Sequence, residues 1–165
     1  MSEWFRERLQ QRPWWMNVLM IFCAYMAIVY MPWDIFVKPV ARDAEAWFGF
    51  LLYGWWAKLT EPLHWAIYTA GAYGFWRMRK WMWPWAALYA AQVALGMFVW
   101  NVVYVGGLRA WLGGAVAFVP LAAIAVALWN AQEQFGRKRA SLRQRYGEWA
   151  LITGASAGIG AEFAR

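Results

Sequence analysis

Apolar positions along the chain come in long unbroken runs, and charged positions come in short clusters between them. Residues 13–33, 81–108 and 110–132 contain no Asp, Glu, Lys or Arg. Each run exceeds the ~20 helical residues needed to cross a hydrocarbon layer ~30 Å thick. The first, PWWMNVLMIFCAYMAIVYMPW, opens on Pro13, which suits a first helical turn because no backbone donor is lost there. Trp14, Trp15 and Trp33 sit at its two ends, where interface-anchoring aromatics belong. The first run is too long for a signal-peptide core and has no small-x-small exit, so it predicts a retained span.

The remaining segments complete a predicted all-α membrane fold. PLHWAIYTAGAYGFW, residues 62–76, is shorter, about 22 Å at ~1.5 Å per residue. Thr60 and Glu61 give it a helix start, and Arg77 and Arg79 can reach the far interface by snorkelling. Ala66, Ala70 and Gly74 recur every four residues and form a smooth face for close helix packing. Gly106 and Gly107 mark a turn between the last two spans, and Pro120 predicts a kink in the last one. Twelve uncharged residues, AWFGFLLYGWWA, are too few to cross, so residues 44–59 are expected to form an amphipathic helix lying in the interface, or a shallow re-entrant segment. The expected architecture is a four-transmembrane-helix bundle with spans over about 13–33, 60–76, 81–105 and 111–130. The bundle fills residues 1–132, and residues 133–148 form a basic cytoplasmic linker.

Composition supports a lipid-embedded chain. Hydrophobic residues make up 63% of the chain, with 16 tryptophans, against ~45–50% apolar in soluble domains. A chain of 165 residues cannot bury that much apolar surface in one water-soluble core. The net charge of +7 could suggest nucleic acid, but its placement argues against that partner. Arg6, Arg8, Arg12, Arg77, Arg79, Lys80, Arg137, Lys138, Arg139, Arg143 and Arg145 fall on one side of the predicted spans. Only Lys38, Arg42, Lys58 and Arg109 fall on the other. This division predicts both termini in the cytoplasm, as in a bacterial inner-membrane protein. The expected partners are membrane lipids, anionic headgroups near the basic run, and other membrane subunits. Cys23 stands alone inside the first span, which excludes a disulfide or CxxC site within the chain.

Little in the spans carries chemistry. No paired carboxylates, metal-ligand cluster or nucleophile triad is evident there, and no metal is expected. Asn17, Gln92, Asn101 and Asn130 are expected to hydrogen-bond between helices. His64 is the one histidine. It is a candidate ligand to haem or another pigment or a proton relay, since ionisable groups inside a membrane are functional suspects. The alternative is an interfacial histidine bonded to Glu61 or water.

The C-terminal stretch is different. EWALITGASAGIGAEFAR holds a short apolar run at residues 149–152, a glycine-rich turn over 153–160 and the start of a helix. Strand, glycine turn and helix N-terminus in that order form a phosphate-binding unit. The spacing, Thr153-Gly154-x-x-x-Gly158-Ile159-Gly160, resembles the TGxxxGxG cofactor loop of the short-chain dehydrogenase/reductase family. The resemblance covers about residues 147–165. It implies the incomplete start of a Rossmann-type dinucleotide-binding domain over 149–165. There Thr153, Gly154, Ser156, Gly158, Ile159 and Gly160 would be the cofactor-binding residues. NAD(P) is implied only together with a downstream domain, because the family's catalytic Ser, Tyr and Lys lie well beyond this loop. Ala157 stands where NADPH users often carry a basic residue, so the cofactor form stays open. The expectation is therefore a membrane-anchoring domain of a reductase-like protein, not catalytic in these 165 residues. The alternative is a non-catalytic accessory subunit of a respiratory or photosynthetic membrane complex.

Overall fold

A computed structural model describes Leu9 and residues 12–136. Helix α1, Trp14–Phe36, is α-helical except for a wide turn over Met26–Tyr30. Pro32 accounts for that turn. Proline has no N–H to donate and its ring crowds the preceding turn. The Met31 N–H reaches back five residues to the Met26 carbonyl, a π-type turn that makes room for the ring. In this register the Ala27 carbonyl faces Pro32 and gains no backbone donor. The Trp65 indole N–H supplies one from the neighbouring helix at 2.8 Å.

After α1 a 3₁₀ turn, Val40–Arg42, reverses the chain. Two antiparallel strands follow, β1 (Ala44–Trp47) and β2 (Phe50–Tyr53), with Trp47 opposite Phe50. The connection is Phe48-Gly49, with φ of 52° and 91°. Positive φ at both positions makes the two-residue turn that suits the twist of paired strands, and glycine takes it without strain. Gly49 is pressed against the helix Met82–Tyr104: a Cβ there would lie 2.6 Å from Val99 Cβ and 2.7 Å from the Gly96 carbonyl oxygen. Gly96 in turn leaves room for the hairpin backbone.

This hairpin replaces the interfacial helix predicted over 44–59. The length and apolarity of AWFGFLLYGWWA suggest a surface helix, but the decisive pattern has a period of two. Glu45 and Trp47 point toward the bundle while Ala44 and Ala46 point away. Gly49 and Gly54 adopt positive φ and interrupt any helix. Residues 55–59 belong instead to α2, Trp55–Arg77, which begins a full turn and more before the predicted residue 60.

Helices α3 (Met82–Tyr104) and α4 (Gly107–Asn130) complete the fold, joined by a turn in which Gly106 and Gly107 have φ of 74° and 64°. The helix α4 runs on through Pro120. The four long helices alternate in direction. Residues 12 and 136 therefore lie at one end of the molecule, and the hairpin lies at the other. Helices α3 and α4 pack along most of their length, and α1 packs on α2. Met16, Met20, Phe75, Met82, Ala87, Leu128 and Phe135 form the buried core, nearer the end that holds residues 12 and 136.

Three helices, α1, α3 and α4, are long and apolar enough to cross a membrane. Ile28, Trp85 and Val116 are 75%, 67% and 75% exposed. Apolar side chains on this scale face outward at low cost only in an apolar surrounding. Helix α2 matches α1 and α3 in length at 23 residues. It carries Lys58, Glu61 and His64 in its first half. Residues 137–148 of the basic linker lie outside the described residues. So do Thr153, Gly154, Ser156, Gly158, Ile159 and Gly160, with the rest of the strand–turn–helix segment.

Candidate functional site

The hairpin end holds a cluster of charges that the sequence shows only as scattered flanking residues. Asp34 lies in the last turn of α1, Lys38 just after it, Asp43 before β1, and Lys58 and Glu61 in the first two turns of α2. The hairpin closes the loop, with the Gly54 N–H donating to the Asp43 carbonyl at 3.0 Å. This closure brings residues 34–43 against residues 58–61.

Lys38 Nζ lies 2.9 Å from Asp34 Oδ1 and 2.7 Å from Asp43 Oδ1. Lys58 Nζ lies 3.1 Å from Asp43 Oδ2 and 3.2 Å from Glu61 Oε2. Several of these contacts lack good hydrogen-bond angles, and they act as ion pairs set by distance and burial. Lys58 also donates to the backbone carbonyls of Asp34 and Lys38. It thereby places a cation on the C-terminal carbonyls of α1, where the helix dipole favours one. The three carboxylic residues are withdrawn from solvent: Asp34 and Glu61 are 0% exposed and Asp43 2%.

Burial works against every charge here, and the partners reverse it outside the helices. Burial alone would lower the Lys38 pKa, but Asp34 and Asp43 hold it above the ordinary lysine value. Burial alone would raise Asp43, yet Lys38, Glu61 and Lys58 together hold it below the usual carboxylate range. One carboxylate oxygen from each of Asp34, Asp43 and Glu61 falls within 4.8 Å of the others. That spacing would admit a metal ion, but two ammonium groups already stand among those oxygens. A divalent cation would have to displace them, so the donor set fits ion pairing and not a metal centre.

His64 lies one turn beyond Glu61 on the same face of α2. Its Nδ1 is 3.2 Å from Glu45 Oε2, and its ring stacks on Trp47 at 4.1 Å with planes 1° apart. The sequence offers His64 as a haem or pigment ligand, with Glu61 as its alternative neighbour. The structure gives it Glu45 and Trp47, both from β1. One further turn along, Tyr68 meets Tyr89 of α3 edge to face at 6.3 Å. Asn17 and Asn101, expected to bond between helices, bond locally instead, to Arg12 and Leu9 and to Met97.

At the opposite end Arg12 is buried, with 6% exposure. It donates to the Phe75 and Trp76 carbonyls and to Asn17, and stacks over the Trp76 ring. Nearby, Phe135 packs on Phe75 and the Gly136 N–H donates to the Met78 carbonyl at 2.6 Å. A shallow cleft of about 510 Å³ opens there between Lys80, Trp83, Gln132, Glu133 and Phe135.

The charge cluster is reachable from the sequence by one route. Asp34 and Lys38 are spaced i, i+4, and Lys58 and Glu61 i, i+3, as helix-surface ion pairs are. Asp43 joins them only through the hairpin, which stands where a helix is expected. No protein-family model, curated protein or solved structure matches the chain.

Proposed function

We propose that residues 12–136 are a membrane anchor that crosses the bilayer four times. The anchor holds the reductase-like C-terminal segment at the cytoplasmic face of a bacterial inner membrane. The observation that carries the reading is the outward apolar surface of α1, α3 and α4, each long enough to span. Helix α2 supports a fourth crossing. Lys58 and Glu61 lie in its first two turns and face the buried cluster, Arg77 closes its last turn, and residues 62–76 between them carry no Asp, Glu, Lys or Arg. The division of Arg and Lys between the two ends supports cytoplasmic termini. An anchor of this kind raises the local concentration of a lipid-borne carbonyl substrate around a tethered site.

Topology is tested by single-cysteine labelling in inverted vesicles, on a Cys23→Ser background. Residues near position 6 and in the 137–145 run should be labelled from the same side, and a residue at 48 from the other. Opposite labelling of residue 6 and the 137–145 run ends the four-crossing reading. The reductase half is tested at the genetic locus. A reading frame that continues past Arg165 into a Tyr-x-x-x-Lys segment supports it. Absence of that segment, with other membrane subunits co-purifying after native extraction, replaces it with an accessory-subunit role.

A further inference from the structure

We infer that the facing carboxyl groups of Glu61 and Asp43 form a proton-binding site, and that the bound proton locks the β1–β2 hairpin onto α1 and α2. The inference stands on the described residues alone and survives a failure of the reductase reading. It begins with a count of charge. Asp34, Asp43 and Glu61 supply three carboxylates, and Lys38 and Lys58 supply two ammonium groups. Fully ionised, the cluster carries one uncompensated negative charge, and its three carboxylic residues are withdrawn from solvent. An uncompensated charge in such a place is neutralised in preference to being kept.

The geometry places that neutralising proton. One carboxylate oxygen of Glu61 and one of Asp43 lie within 4.8 Å of each other, and both residues face Lys58 Nζ. Two ionised carboxylates are both acceptors and repel each other at this range, and a proton held by one of them removes that repulsion. Asp43 is the better-compensated partner, with a lysine on each oxygen. Glu61 has only Lys58, shared with Asp43, and is the carboxyl that keeps the proton. Asp34 Oδ2 is buried without a hydrogen-bond partner, and Lys38, which pairs with Asp34 Oδ1, is shared with Asp43.

The surroundings do not supply the missing positive charge. Helix α1 adds Tyr30, a hydroxyl. Strand β1 adds Glu45, a fourth carboxylate that is balanced only when His64 of α2 carries a proton. Helix α3 has no acidic or basic residue between 82 and 104. Arg42 and Arg109 are exposed. The proton that the site takes comes from water and returns to it, with no other bond made or broken. When it leaves, two like charges face each other across the junction of the hairpin with α2, and Asp43 is the residue that ties the hairpin base there.

The test uses the full chain in lipid nanodiscs. Infrared spectra across a pH series should show a protonated carboxyl band at neutral pH, where exposed carboxylates are ionised. Glu61→Gln should remove the band. Asp34→Asn, outside the pair but sharing Lys38 with Asp43, relieves the excess negative charge and should move loss of the band to lower pH. Hydrogen exchange of residues 44–53 gives the second readout. After correction for the chemistry of exchange itself, their exchange should rise about tenfold per pH unit once the proton leaves. In Glu61→Gln it should stay flat over that range, and Asp43→Asn serves if Glu61→Gln does not fold. The proposal is overturned by absence of the band at neutral pH, by its survival in Glu61→Gln, or by a midpoint in Asp34→Asn that stays or rises. Protection that follows sodium concentration at fixed pH would also overturn it, by making the site a metal-cation site.

Discussion

Both ends of the molecule place a cation on the carbonyls at a helix end. At the hairpin end Lys58 caps the last carbonyls of α1. At the opposite end Arg12 caps the last carbonyls of α2. The difference lies in what else surrounds each cation. Among the described residues, Lys58 faces three buried carboxylic residues, and Arg12 contacts carbonyls, an amide and an indole ring. Carboxylates titrate in the accessible pH range, whereas carbonyl dipoles do not and guanidinium keeps its proton. The carboxylates make the hairpin end responsive to pH, and the contacts described around Arg12 add no titrating group.

The sharpest way to break this comparison is Lys58→Met. It leaves Asp43 and Glu61 buried with one lysine fewer, and breaking a buried pair from one side costs about 3–5 kcal/mol. Unfolding in mixed micelles should show that loss, and hydrogen exchange should place it in residues 44–61. A loss spread evenly over the chain would mean that the cluster is not local to the junction.

Acid titration sharpens the same contrast without a mutation. The native pKa of Asp43 lies below its ordinary value of 3.8. Its contribution is thus present above the ordinary value and is lost as the pH falls through the lower native one. Lys38 works in the other direction. Its native pKa is raised above 10.5, so its contribution is present below that value and is lost only in stronger base. Hairpin protection should therefore collapse in acid while protection near Arg12 and Phe75 persists, as exchange at the two ends will show.

Arg12→Ala comes next. A hydrogen bond that involves a charged group contributes about 1.5–3 kcal/mol, and the loss here should reach the upper part of that range. The loss should be the same at mildly acid and neutral pH, measured by the same unfolding assay. A pH-dependent loss would erase the distinction between the ends. Gly49→Ala should cost about 1–3 kcal/mol, because a non-glycine residue at φ 91° is strained. Its Cβ would also meet Val99 and the Gly96 carbonyl. The damage should appear as faster exchange in β1 and β2, with the Arg12 end unaffected.

The helices are legible in the sequence because their signal is long. Runs of more than 20 uncharged residues leave few alternatives, and α3 and α4 begin and end within a few residues of the boundaries such runs predict. The hairpin is hidden because its strands are four residues each and are apolar on both faces at β2. A Phe-Gly turn lacks the Asn-Gly or Asp-Gly pair that marks such a connection most clearly. The cluster is hidden for a related reason. Charges at 34, 38, 43, 58 and 61 look like solvated flanks until the hairpin folds 43 back onto 58. Arg12 reads as a topology signal and is in addition a buried cap.

The smallest expected effect belongs to Trp65→Phe, which touches neither cation. The ring volume is largely kept, and the lost feature is the indole N–H that satisfies the Ala27 carbonyl. A single neutral hydrogen bond contributes about 0.5–1.5 kcal/mol. That carbonyl is short of a donor because Pro32 cannot supply one. Trp65→Phe together with Pro32→Ala should therefore recover much of the loss, since an alanine in place of the proline returns a backbone N–H to α1. If the double variant is no more stable than Trp65→Phe alone, the wide turn in α1 has a cause other than proline. If the single variant loosens the hairpin as much as Lys58→Met does, then the junction depends on the register of α1 more than on its charges.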